Sequence, residues 1–139
     1  MLHGRCLCGS VRFEIDVPLG AVVYCHCSMC RRASGTAFAT NASIRTEGFR
    51  IVAGEEVIAE RESSPNSFRA FCSKCGSPLY GRNSVYPQMR RVRLGTLEDD
   101  PGVRPSAHVW VGSKAAWYEI KDDLKQFERE PPVSYLMPG

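Results

Sequence analysis

The chain has 139 residues, 43% of them hydrophobic and 24% charged, which excludes a disordered protein and allows one packed core that does not depend on disulfides. Its formal charge of +3 is too small to argue for nucleic acid, and seven thiolates on two zinc ions would bring it to about zero. The start, MLHGRCLCGS, lacks the apolar run of a signal peptide, and no apolar stretch approaches the roughly 18 residues of a membrane span, so a cytoplasmic, membrane-free protein with reduced cysteines is expected.

In chain order, Val11, Phe13, Ile15 and Val17 alternate with Arg12, Glu14 and Asp16, the pattern of a half-buried strand that PLG ends. AVVYC is a short apolar strand running into a cysteine-rich loop, and a helical turn follows Cys30 at RRAS, closed by Gly35. TAFAT, FRIVAG and EEVIAERES read as further short strands, and NSFRAF delivers the chain to Cys72. PLYGR, RRVRLGTL and AHVWVGS complete the strands. A second short helix is expected near SKAAWYEI or DDLKQFERE, where Leu124 and Phe127 sit three apart, and the Pro-rich end, 131–139, is expected to pack irregularly. No repeat or linker interrupts the chain, so one mainly β domain spanning 1–139 is expected.

Seven cysteines fall in three groups: CLC (Cys6, Cys8), CHCSMC (Cys25, Cys27, Cys30) and CSKC (Cys72, Cys75). The odd total rules out complete internal disulfide pairing, and the spacings are those of chelation. A C-x-x-C turn aims two sulfurs at one metal, and C-x-C does so on an extended chain, where residues i and i+2 share a face. The simplest partition puts Cys6, Cys8, Cys72 and Cys75 around one closed, structural zinc. That leaves Cys25, Cys27 and Cys30 as three ligands with one position open, the arrangement of a catalytic zinc. His3, His26 and His108 are the candidate fourth ligands, although His26, between two cysteines on an extended segment, should point away from their face. A zinc-ribbon partition of Cys27, Cys30, Cys72 and Cys75 competes, but its pairs stand about 41 residues apart against the usual 15–20, and it leaves CLCG without a purpose.

GRCLCGSVRFE, YCHCSMCRRASGTAF, FCSKCGSPLY and HVWVGSKAAWYEI, in that order, resemble the glutathione-dependent formaldehyde-activating enzyme family, whose domain is shared with centromere protein V. The resemblance covers about residues 3–130. It implies a mainly β, Mss4-like (β-tent) fold of small antiparallel sheets pinned by two zinc ions per chain. It also implies structural zinc at Cys6, Cys8, Cys72 and Cys75, and a catalytic zinc at Cys25, Cys27 and Cys30. The implied activity is condensation of formaldehyde with glutathione to S-hydroxymethylglutathione, a carbon–sulfur lyase reaction in the reverse sense. Another small thiol or aldehyde fits the same chemistry, and a non-catalytic zinc-stabilised scaffold is the competing class.

Glutathione carries two carboxylates and requires cationic partners. Arg31 and Arg32, directly after the cluster, are the expected substrate-binding residues, with Lys74 and Arg82 as further candidates. Phe38, Trp110 and Trp117 are expected in the core or along a pocket. MRRVR is the best basic cluster, but it alternates as a strand does and no Lys/Arg tail accompanies it.

Overall fold

The alternating opening segment folds as its period demands: Val11, Phe13 and Ile15 are all at most 1% exposed, whereas Arg12 and Asp16 face solvent. In the computed structural model, which describes residues 1–137, this segment supplies β2 (Arg12–Ile15), preceded by β1 (Leu2–Arg5). Then follow β3 (Val22–Cys25), α1 (Ser28–Ser34), β4 (Ala39–Arg45), β5 (Phe49–Ala53), β6 (Ile58–Ser64), β7 (Ser67–Cys72), β8 (Pro78–Asn83) and β9 (Met89–Arg93). The chain ends with β10 (Ala107–Val109), β11 (Lys125–Gln126) and α2 (Val133–Leu136). One sheet runs β1-β2-β5 and a larger one runs β11-β10-β3-β4-β9-β8-β7-β6. Among the described residues only β10 pairs in parallel, with β3 and with β11. The fold is mainly β, with small helical pieces, as the sequence implies.

Two apolar cores form among the described residues: one contains cysteines of the first and third groups, the other cysteines of the second. Phe13, Ile15, Ile44, Leu79 and Val92 pack with Cys6 and Cys72. Val23, Ala39, Met89, Val109 and Leu136 pack with Cys25 and Cys30. Full burial of a side chain such as Phe13 or Ile44 is worth about 1.5–3 kcal/mol. The cores therefore hold the strand ends that carry the sulfurs.

Helix α1 follows from local chemistry. Cys27 caps its N-terminus by accepting from the Cys30 N–H, and Gly35, at φ +71°, ends it in the left-handed conformation. The second expected helix is reduced to one 3-10 turn at Val111–Ser113, because the backbone around Trp110 and residues 127–128 is used otherwise. Val111 and Gly112 N–H groups donate to Phe127 and Glu128 carbonyls, and the Phe127 N–H donates to His108. The segment thereby lies along β10 as extended cover, with its hydrogen bonds spent across the chain. At the C-terminus the expected irregular packing gives way to α2: Leu136 is 3% exposed, and its carbonyl accepts from the Ala21 N–H. The last two residues of that stretch, 138 and 139, lie outside the described residues.

Gly54, at φ +80°, is required by close approach, since a Cβ there would lie 2.1 Å from the Ser10 carbonyl oxygen. Gly54→Ala should cost about 2 kcal/mol or more, because the strain falls on the turn that follows Cys6 and Cys8. The expected signature is a lower urea midpoint with an unchanged m-value.

Candidate functional site

Cys6 and Cys8 enter one tight turn and Cys72 and Cys75 another, and each turn ends in a left-handed glycine: Gly9 at φ +79° and Gly76 at φ +81°. The Gly9 N–H donates to the Cys6 carbonyl at 3.1 Å, and the Gly76 N–H to the Cys72 carbonyl at 2.7 Å. All four sulfurs lie within 4.8 Å of one another, with Cys6 and Cys8 at 3.5 Å and Cys8 and Cys72 at 3.9 Å. Four thiolates around zinc at about 2.3 Å would stand about 3.8 Å apart, so the donor set fits that ion. Ser10 holds the Cys8 thiol below its ordinary range, and Ser77 brings Cys75 down to about 5. Burial instead pushes Cys72 up.

The second group gathers at the junction of β3 and α1. Cys25 is the last residue of β3, Cys27 caps α1, and Cys30 lies in its first turn. Their three sulfurs also lie within 4.8 Å of one another. The Cys30 N–H donates to Cys27 Sγ at 3.2 Å, and the Arg69 guanidinium donates to Cys30 Sγ at 3.7 and 3.8 Å. Crowding divides their protonation: hydrogen bonds with Cys25 and then Cys30 push the Cys27 thiol down, while those with Cys27 and then Cys30 push Cys25 up. Three adjacent thiolates repel one another, and a divalent cation among them removes that penalty. Among the described residues no fourth sulfur, imidazole or carboxylate joins them.

None of the three histidines completes the trio. The His3 ring and backbone N–H both meet Asp99, at 3.0 and 2.6 Å. His26 turns away from the sulfurs, as its place between two cysteines requires, and its Nε2 meets His108 Nδ1 at 2.8 Å. His108 Nε2 in turn meets Asp122 at 3.0 Å. Both rings are 0% exposed. Burial, and then His108, bring His26 down to about 4, so it is neutral at physiological pH. The zinc-ribbon partition is excluded by the same geometry, since Cys72 and Cys75 group with Cys6 and Cys8.

A cavity of about 260 Å³ opens on the trio, lined by Cys25, Cys27 and Cys30 together with Arg69, Arg91 and Arg93. Strand β9 supplies two of these arginines at i and i+2, while Arg90, on the other face, stacks over Tyr80. Arg93 donates to Asn41, and burial brings it down to about 10. The Arg91 side chain makes no hydrogen bond or ion pair among the described residues. Trp110, at φ +58°, also lines the cavity, and its indole N–H donates to Glu130 at 2.8 Å. A bulky residue in that conformation is strained, and strain of this kind gathers at functional sites. A second cavity, about 270 Å³, shares Cys30, Arg69 and Arg93 with the first.

The sequence profile of the glutathione-dependent formaldehyde-activating enzymes matches residues 1–113. The chain belongs to this family. It is similar to a Halomonas elongata protein named as a candidate glutathione-dependent formaldehyde-activating enzyme, with 30% identity over 129 positions, covering 87% of this chain and 82% of that one. It is also similar to the crystal structure of a Rhodobacter sphaeroides protein, with 29% identity, a TM-score of 0.61, and coverage of 74% of this chain and 91% of that one.

For a member of the glutathione-dependent formaldehyde-activating enzyme family, the arginines at the cavity are the main difference from the sequence reading. Arg31 and Arg32 do not line it. Each helical residue after Cys30 turns about 100°, which carries the next two side chains around α1 from the face that Cys27 and Cys30 share. Lys74 is exposed in the Cys72–Cys75 turn, and Arg82 is held by Glu60 at 2.8 Å and stacked on Phe68. Of the aromatics, Trp110 lines the cavity, Phe38 packs between Tyr24 and His26, and Trp117 is 73% exposed. Arg69 had no local signal. Arg91 and Arg93 were visible in MRRVR, but only the pairing of β9 with β4 and β8 decides which face meets the sulfurs.

Proposed function

We propose that the chain is a zinc-dependent enzyme that joins a small carboxylate-bearing thiol of the glutathione class to formaldehyde or another small aldehyde, and cleaves the same carbon–sulfur bond in reverse. One observation carries the reading: three cysteine sulfurs, without a fourth ligand among the described residues, face a cavity whose charged lining is dominated by arginine. Cys25, Cys27 and Cys30 would hold the catalytic zinc, and Cys6, Cys8, Cys72 and Cys75 the structural one. Bound at the trio, zinc supplies the Lewis acidity that lets a sulfhydryl group ionise near neutral pH.

The chain's own residues do the rest. Arg91, whose side chain has no partner among the described residues, and Arg93 present guanidiniums that match the planar geometry of a carboxylate. Arg69 sets positive charge against Cys30 Sγ, which offsets the negative charge of three thiolates. In the forward reaction the thiol sulfur bonds to the carbonyl carbon, the carbonyl π bond opens onto oxygen, and the proton lost from sulfur ends on that oxygen. The second cavity, which shares Cys30, Arg69 and Arg93 with the first, is assigned to the small aldehyde.

The test follows adduct formation from glutathione and formaldehyde by zinc-replete protein, measured against the uncatalysed rate. No acceleration with any thiol and aldehyde pair overturns the proposal. Arg91→Ala should raise KM for glutathione at least about tenfold, the size of one lost charge-assisted hydrogen bond, and leave KM for an uncharged thiol such as 2-mercaptoethanol unchanged. Equal effects on both thiols would remove Arg91 from substrate recognition.

A further inference from the structure

We infer that Asp122 and His108 are positioning residues for the cysteine trio, acting through His26 from the side opposite the sulfurs. The inference rests on reading the trio as a metal site. Asp122 is exposed and stands nearly a hundred positions beyond Cys27, yet its carboxylate oxygens lie 3.0 and 3.1 Å from His108 Nε2. A carboxylate only accepts, so His108 carries its proton on Nε2 and offers a bare lone pair at Nδ1. That lone pair accepts from His26 Nε2–H at 2.8 Å. One exposed acid therefore fixes the tautomers of two fully buried rings in succession.

The remaining atom agrees with this assignment. His26 Nδ1 is buried without a partner among the described residues, and in the assigned tautomer it is an acceptor. The opposite tautomer would bury an unpaired N–H donor there and set a lone pair of His108 against the Asp122 carboxylate, both costly. His26 is also boxed by rings: His108 at 5.0 Å, Phe38 at 5.2 Å and Tyr118 at 5.9 Å between centroids. Its backbone N–H donates to the Val109 carbonyl at 2.9 Å. The residue between Cys25 and Cys27 is thus pinned by main chain and side chain together. A shift of either sulfur must rotate the His26 peptide or drag its ring from a site where no other partner exists.

Outer partners of this kind typically change metal affinity 10–100-fold when removed. The experiment loads full-length wild type, Asp122→Ala, Asp122→Asn and Asp122→Glu with zinc, and separately with cobalt(II), and titrates each against a competing chelator. Asp122 is exposed, so its removal opens no core cavity. The expected result is that Asp122→Ala weakens one of the two ions about 10–100-fold and leaves the other at wild-type affinity. The cobalt–thiolate charge-transfer band of the weakened ion should broaden or shift, and Asp122→Glu should restore both readouts in part. Asp122→Asn, which can donate as well as accept, should fall between alanine and glutamate.

Unchanged affinities and spectra in Asp122→Ala and Asp122→Asn overturn the inference. So does a parallel loss of both ions that tracks a fall in melting temperature, which would mark Asp122 as a general stabiliser. If wild type takes up only one ion per chain, the reading of the trio itself fails, and the inference falls with it.

Discussion

Cys72→Ser is expected to leave a chain with no cooperative thermal transition near that of the wild type. Cys72 is 0% exposed and Cys6 is 1% exposed, both inside the core that contains Phe13, Ile15 and Ile44. The quartet brings together the turn after β1 and the turn after β7, which are far apart along the chain. A structural zinc contributes about 10–16 kcal/mol, as much as or more than the whole stability of a typical domain, about 5–15 kcal/mol. Serine replaces the sulfur with a hydroxyl that does not ionise near neutral pH, so the loss should exceed what the two cores supply. Near-ultraviolet circular dichroism and metal content measure it. The expected variant has lost its fixed aromatic signal and at least one ion. A variant that keeps the wild-type melting temperature within a few degrees would show that the quartet does not hold the fold.

Cys27→Ser should instead give a folded protein with almost no activity. Cys27 has two roles: its sulfur belongs to the trio, and it caps α1 by accepting from the Cys30 N–H. Serine is a good cap, so the helix should persist while the soft metal donor is lost. Removing Lewis-acid assistance costs several kcal/mol of transition-state stabilisation, on the order of a thousandfold in kcat/KM. The variant should bind one ion in place of two and melt within a few degrees of wild type. Wild-type turnover by Cys27→Ser would end the proposed mechanism, and unfolding would show that the trio is structural.

The sequence disclosed most where chemistry is local. Period-two alternation named Phe13 and Ile15 as core, and cysteine spacing separated the two groups before any strand was paired. Gly35 marked the end of α1 because only a left-handed residue closes that helix without strain. What stayed hidden depends on pairing across the sheet. Arg69 reaches Cys30 only through the order β4-β9-β8-β7, and His26 finds His108 only because β3 and β10 run side by side in parallel. Leu124 and Phe127 carried helical spacing, but tertiary hydrogen bonds to β10 outweighed that weak preference.

Strand β7 holds Arg69, against the trio, and Cys72, in the quartet, three residues apart on one rigid rod. The two centres are therefore wired in series. On the proposed two-zinc reading, a chelator that strips the outer ion would release the rod and withdraw a guanidinium from the inner sulfurs, silencing turnover before it touches the inner ion. Inactivation would then track the ion that takes no part in the chemistry.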